Sequence, residues 1–519
     1  MVEKAISTPH ANATQAGVEA YRDGGNAIDA ALAAAGVLAV VYPHQCSAGG
    51  DLFALVEDGS GRTWSVNGSG AAPRELDPTE LRRQSNEMPD SGPDSITVPG
   101  VVAGWGTIQG LGAALPLSRL LRPAVRAAAE GVPITALLAA SIRARAAALV
   151  RDPGMRALFF PNGEPLPAGA LLRQPQLART LETLAHDGPE AFYVGLIGEQ
   201  LITGLQRLGS RLTRDDFAAH RSEVDAPLRL EHRGFQLQTC PPNSQGFCLL
   251  EAIAALDALG VEIDARGVDA QLLLRALLLA ADDREKYLGD PHCRPVPVAE
   301  LLAPERLRKR MGLPMLTRAN AAQAPMHGDT VAICAADATG VAVCLIQSVY
   351  QSFGSGLLER QTGVILHNRG RGFSLTPGAP NELLPNTRPA HTLTPLLIHR
   401  DKRLKAVVGT MGGRAQPQIL AQLLPALLDP GVKLTEVLGA PRWVAGGRDI
   451  GFENTTVAIE RDAPLALDSI LARENIDVAR IASRNELVGH AQIVRVGPDG
   501  ALQAGCDPRS DGAAAVVGC

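Results

Sequence analysis

Asp329 and Thr330 stand directly before the apolar run Val331-Ala332-Ile333-Cys334, with His327 and the small residue Gly328 ahead of them. A threonine hydroxyl is a weak nucleophile at its ordinary pKa and needs a base beside it. A threonine that becomes the first residue of a chain carries that base itself. Its own α-amino group, with a pKa of about 8, can accept the hydroxyl proton. Such a terminus arises when the chain cuts itself at the preceding peptide bond, here Asp329–Thr330. Three things must then surround Thr330: a small approach, a strand that holds it rigid, and backbone N–H groups that receive an oxyanion. Gly328 meets the first need and residues 331–334 the second. Gly412-Gly413, between the strand-like segment 404–411 and a helix start, offers the N–H pair. An ordinary reading competes, because Gly-Asp-Thr is also common turn chemistry before a strand.

These residues need a framework. The chain has 519 residues, 46% of them hydrophobic and 20% charged, which is the profile of a globular protein able to bury a large core. Aromatic residues are only 3%, so the core rests on Ala, Leu and Val. The net charge is −5 with signs mixed throughout, and no basic block would hold a phosphate backbone, which argues against nucleic acid. Eight cysteines are scattered without paired short spacing and read as reduced; Cys334 and Cys344 fall on neighbouring strands, where a bridge is conceivable but not expected. The N-terminus has no signal-like apolar core. The longest apolar run, Ala30 to Tyr42, is too short for a bilayer, which needs about 20 residues, so no membrane partner and a cytoplasmic location are expected.

After the turn Gly24-Gly25-Asn26, an Ala/Leu/Val run apolar on nearly every side predicts a buried helix that Pro43 stops. "CSAGGDLFALVED" and "RTWSVNGSGAAP" read as strands, and "DSITVPGVVAGW" as a strand before glycines, followed by a helix from Leu117 to about Glu130. Residues 135–316 read as mostly helical. After Met326 the pattern turns to strands: "TVAICAAD", "VAVCLIQSVY", "GVILHNR", "HTLTPLLIHRD" and "LKAVVGTM", the first two joined by a turn at Asp337–Gly340. Helices covering strands in several layers around one core are expected, the two parts of the chain sharing a sheet. "DREKYLGDPHC" holds Asp, His and Cys, but no second ligand cluster follows, and helix-end chemistry explains it. No serine sits in a G-x-S-x-G elbow, and "GWGTIQG" is a poor dinucleotide fingerprint.

Over nearly its whole length the chain resembles the γ-glutamyltranspeptidase family of N-terminal-nucleophile (Ntn) hydrolases. The matching segments are "GGNAIDAALAAA", "YPHQCSAGGDLFALV", "DSITVPGVVAGW", "GDTVAICAADATGVAVCLIQSVYQSFGSG", "TGVILHNRGRGF", "RPAHTLTPLLI" and "GTMGGRAQPQI", in the family's order and spacing. The resemblance implies an α/β (α+β) fold, the four-layer αββα sandwich. It implies a proenzyme cut at Asp329–Thr330 into a large chain of residues 1–329 and a small chain of residues 330–519, interleaved in one fold. A dimer of such heterodimers is one assembly open to it, and neither cofactor nor metal is implied. Thr330 is then the nucleophile. Ser348 falls where the family has a threonine that hydrogen-bonds the new α-amino group, and Tyr350 where transpeptidases carry an asparagine. Gly412 and Gly413 match the oxyanion pair, and His391 and Thr392 stand where transpeptidases carry two serines, one of which helps hold the substrate carboxylate.

The departures bear on substrate. Where transpeptidases hold the glutamyl ammonium with acids, this chain has Arg369 and Gly372; where they grip the α-carboxylate with arginine, it has Ser69, Gly70 and Ala71. Arg369, with Arg371 and Arg414 as further candidates, suits a carboxylate bidentately. A small amide bearing a negative charge and no ammonium is expected, as in the family's oxamate-cleaving branch. Two rivals remain: hydrolysis or transfer of γ-glutamyl compounds such as glutathione, and an uncleaved, non-catalytic binding homologue. Each arginine also has an ordinary alternative, solvent exposure or a structural carboxylate.

Overall fold

The computed structural model of the protein describes residues 3–313, 328–447 and 452–518. Two antiparallel sheets carry it. Their strands in chain order are β1 (Glu3–Thr8), β2 (Asp51–Glu57), β3 (Thr63–Gly68), β4 (Glu223–Asp225), β5 (Leu228–His232), β6 (Phe235–Thr239), β7 (Gly328–Asp337), β8 (Ala342–Gln351), β9 (Leu396–Arg400), β10 (Arg403–Thr410), β11 (Ala491–Val496), β12 (Leu502–Cys506) and β13 (Ala513–Gly518). One sheet runs β13-β1-β7-β8-β2-β3-β4 and the other β12-β11-β10-β9-β6-β5. The N-terminal strand β1 thus lies between β7 and the C-terminal strand β13.

Alternation along the strands builds the layers. In β7, Val331, Ile333 and Ala335 join the core under the helices Ala11–Arg22 and Ala27–Val41, while Ala332, Cys334 and Ala336 face the second sheet. On the far side, the helices Gly246–Leu259, Ala270–Tyr287 and Gln416–Leu428 cover Leu396, Ile398, Val408 and Ile493. The result is helices, sheet, sheet, helices, as expected. Helix Ala27–Val41 is buried at every position. Its start is fixed by Asn26, whose side chain accepts from Ile28 N and Asp29 N while Asp29 accepts from Asn26 N.

The sheets meet over small side chains. A Cβ on Gly409 would lie 2.9 Å from the Ala332 Cβ and 3.0 Å from the Cys344 Sγ. Glycine there lets β10 approach β7 two residues beyond Thr330, which brings Gly412-Gly413 to the head of β7. Cys334 and Cys344 are cross-strand partners in register, yet both are free thiols; each donates to a carbonyl of the second sheet, those of Gln492 and Val408, at 3.1 Å.

Several expected elements differ. Residues 96–100 form no strand; a 3-10 turn at Pro93–Ser95 and a helix at Val101–Gly110 flank them. They run extended because Val98 N bonds Ala71 O and Gly100 N and Val101 N both bond Gly50 O, loop partners rather than a ladder. The helix-rich middle contains β4, β5 and β6, since Leu228–Thr239 fills the edge of the second sheet. "GVILHNR" keeps only the short strand Val364–Ile365 before a 3-10 turn at Arg369–Gly372. In "HTLTPLLIHRD" the strand starts at Leu396, because Pro395 has no N–H to give a ladder. Among the described residues, no helix is long and apolar enough to cross a membrane, and no three His, Cys, Asp or Glu side chains are placed to hold a metal.

Candidate active site

Thr330 is the third residue of β7 and is 1% exposed. Beside it, β8 carries a bulge: Gln347 pairs with Val331, but the next pair is Tyr350 with Asp329. The extra residue turns Ser348 toward the Asp329–Thr330 bond. The Ser348 hydroxyl donates to the Asp329 carbonyl at 2.6 Å, and accepts from Thr330 Oγ1 at 3.1 Å and from Tyr350 N at 2.8 Å. Tyr350 takes φ = +77°, a left-handed conformation that a bulky residue holds only where its surroundings enforce it. The Asp329 side chain is buried as well. Burial and the nearby Glu486 push its carboxyl up to about 8, against hydrogen bonding from Ser352 and the charge of Arg145.

Met411 follows the end of β10, and beyond it Gly412 (φ +137°) caps the 3-10 turn Gly413–Ala415, whose first residue Gly413 has φ +53°. Gln245 fixes this turn: its Nε2 donates to Gly413 O at 3.0 Å and to Thr392 O at 2.8 Å. His391–Thr392 is held from the same side, with His391 N donating to Asn243 O and Gln245 N to His391 O. Thr392 is buried, and among the described residues its hydroxyl has no hydrogen-bond partner. Sequence reasoning missed Gln245. The available signal was a polar Asn-Ser-Gln triplet between Pro242 and a strongly apolar helix.

The residue of greatest consequence that sequence reasoning passed over is Asp51. It is fully buried at the head of β2, in register with Ser348. Three side chains converge on its Oδ2: His391 Nε2 at 3.2 Å, His367 Nδ1 at 3.3 Å and Arg369 Nε at 3.5 Å. Burial alone would raise this carboxyl, but His367 and His391 hold it well below the usual carboxylate range, so it stays ionised. His391 is neutral, pushed down to about 3 by burial and the Arg369 charge despite Asp51. Its Nδ1 accepts from Thr392 N at 3.2 Å, which leaves Nε2 to donate to Asp51. Arg369 is 1% exposed, and its guanidinium lies 4.0 Å from the centre of the Tyr350 ring. Two contacts therefore tie Arg369 to the neighbours of the Thr330–Ser348 pair.

The other arginines go elsewhere. Arg371 pairs with Asp90 and Glu87, and Arg414 with Glu285 at 3.0 Å on a half-exposed surface. Ser69 is occupied by Asn67 and Asn243, and its carbonyl accepts from Arg388 Nε. A Cβ at Gly70 would collide with the Val98 carbonyl, so that segment is packed backbone to backbone. His327 lies outside the described residues. The "DREKYLGDPHC" stretch ends a helix, with Asp290 accepting from His292 N and Arg388 N.

The sequence matches the family profile described as gamma-glutamyltranspeptidase over residues 13–517. It is 36% identical to the oxamate amidohydrolase proenzyme of Klebsiella pneumoniae, over 98% of this chain and 97% of that protein. It is 34% identical to the glutathione hydrolase-like YwrD proenzyme of Bacillus subtilis, again over 98% and 97%. Among solved structures, a cephalosporin acylase from Bacillus halodurans superposes with a TM-score of 0.90 at 32% identity, covering 99% of this chain and 96% of that one.

Proposed function

The chain belongs to the gamma-glutamyltranspeptidase family of Ntn amidohydrolases, and we propose that it matures by cutting itself before Thr330 and then hydrolyses a small, carboxylate-bearing amide through a Thr330 acyl-enzyme. The observation that carries this reading is the Ser348 hydroxyl, which bridges Thr330 Oγ1 and the Asp329 carbonyl. In the uncut chain Ser348 takes the proton of the attacking Thr330 Oγ1 as it passes its own proton to the Asp329 oxygen, so no charge builds on either. That proton moves on to the Thr330 nitrogen as the C–N bond breaks and the amide becomes an ester on Thr330 Oγ1. Water then hydrolyses the ester, restoring the Thr330 hydroxyl and releasing residues 1–329 with a new carboxylate at Asp329. The freed α-amino group of Thr330 then serves as base and acid for the second reaction. Gly412 and Gly413 supply the N–H groups for the substrate oxyanion.

The charge pattern supports the substrate class. The carboxylate beside Ser348 is Asp51, already engaged by Arg369 and two histidines, so it is poorly placed to welcome a substrate ammonium. Arg369 offers its guanidinium to a substrate carboxylate from behind Tyr350, and Thr392 offers a buried hydroxyl. The relatives' names include both an oxamate amidohydrolase and glutathione hydrolase-like proteins, so the deciding experiment is a kinetic panel of oxamate, γ-glutamyl p-nitroanilide and glutathione on the purified two-chain protein. Oxamate or a related anionic amide is expected to lead. Preference for either γ-glutamyl compound would replace this substrate class.

A further inference from the structure

A cavity of about 760 Å³ shares no residue with the Thr330 constellation. It opens between the helices Pro153–Phe159, Pro175–Asp187 and Leu196–Arg207 and the hairpin Leu358–Ile365. That volume falls in the range of pockets for small organic ligands, and Leu158, Leu177 and Leu358 give it apolar walls. Its charged groups are unequal in what they have left to offer. Glu359 is spent on its own turn, accepting from Gln361 N, Thr362 N and Thr362 Oγ1, and is packed against Gly204. Asp152 caps the helix Pro153–Phe159 by accepting from Met155 N at 2.8 Å. The cations keep more donors in hand. Exposed Arg207 and Arg360 make no hydrogen bond with any described residue, although the Arg360 charge is felt by Asp152, and Arg173 uses only its Nε, on the Glu130 carbonyl.

We propose that this cleft is a second binding site, for a small amphiphilic anion whose carboxylate or phosphate headgroup meets Arg207 and Arg360 while its apolar body lies along the leucines. An anion fits because the lining carboxylates are turned into backbone donors and the guanidinium forks are not. An apolar body fits because a free inorganic anion leaves most of the wall in water.

Isothermal titration of the purified mature protein with octanoate, octyl phosphate, octanol and inorganic phosphate tests this. Saturable binding of octanoate or octyl phosphate is expected, and whichever is tighter identifies the headgroup. The exposed double variant Arg207→Ala/Arg360→Ala should weaken both by at least about tenfold, as loss of charge-assisted hydrogen bonds requires; the charge reversal Arg207→Glu should do the same in an otherwise native protein. The proposal is overturned if neither amphiphile saturates, if octanol binds as well as octanoate, or if the variants bind unchanged. It is equally overturned if inorganic phosphate matches octyl phosphate, which would mean an adventitious ion only.

Discussion

Ser348 Oγ lies 2.6 Å from the carbonyl oxygen of Asp329, across a bulge that neither residue's own strand would create alone. The contact places a hydroxyl donor on the carbonyl that would be attacked in the self-cleavage proposed for Thr330.

Purified protein should contain two chains, the smaller beginning Thr-Val-Ala-Ile-Cys. Thr330→Ala removes the attacking oxygen and should leave one chain of about 54 kDa without amidase activity. Thr330→Ser keeps a hydroxyl and should retain slower processing. Edman sequencing and intact mass decide it: a different start, or a cut at this bond in Thr330→Ala, assigns the nucleophile elsewhere.

Ser348→Ala should slow self-cleavage by about 10²–10³, the usual loss for one oxyanion donor. Ser348→Thr should restore most of it, because the hydroxyl returns. Time courses of band conversion on gels read both rates, and an unchanged rate in Ser348→Ala would remove Ser348 from the mechanism.

The buried Asp329 carboxyl makes the uncut chain sensitive to alkali. Its pKa rises from about 4 in an unfolded chain to about 8 here, so the folded state holds a proton that the unfolded state releases. Its stabilising effect is complete below about pH 4 and is lost as pH climbs toward 8, by up to about 1.4 kcal/mol per unit. In the non-processing Thr330→Ala background, urea unfolding at pH 5 through 8 should show this fall. Adding Asp329→Asn should flatten that part of the profile; parallel curves with and without it would refute the assignment.

Asp51→Asn should destabilise the fold by about 3–5 kcal/mol, because it strips the counter-charge from a buried arginine. Denaturant midpoints measure the loss. A variant as stable as the parent would mean that Arg369 draws its compensation from other groups.

Arg369→Ala should raise KM for an anionic amide and leave self-cleavage intact, since processing involves no external carboxylate. For the parent protein, a preference of about 100-fold or more for such an amide over γ-glutamyl p-nitroanilide is reasonable, given that a guanidinium repels the glutamyl ammonium. Unchanged KM in the variant would show that Arg369 does not read the substrate.

The sequence determined the parts whose cause is local. The unbroken apolar run after Thr330 had to become a strand buried on both faces, and an unbroken Ala/Leu/Val run after Asn26 had to become an enclosed helix. Gly412-Gly413 could be read because positive φ needs glycine wherever it occurs. Short extended stretches such as Ile96–Pro99 were misread because alternation does not reveal whether a ladder partner exists, and that depends on Gly50 and Ala71. Tertiary structure alone decided the charge partners. Asp51 meets His391 across 340 residues of chain, Arg371 meets Asp90 across 281 and Arg414 meets Glu285 across 129. Long side chains reach carboxylates that no spacing rule connects to them. An arginine's place in a sequence therefore shows that it can bind a carboxylate, while the packing of two sheets and their helices determines which carboxylate it finds first.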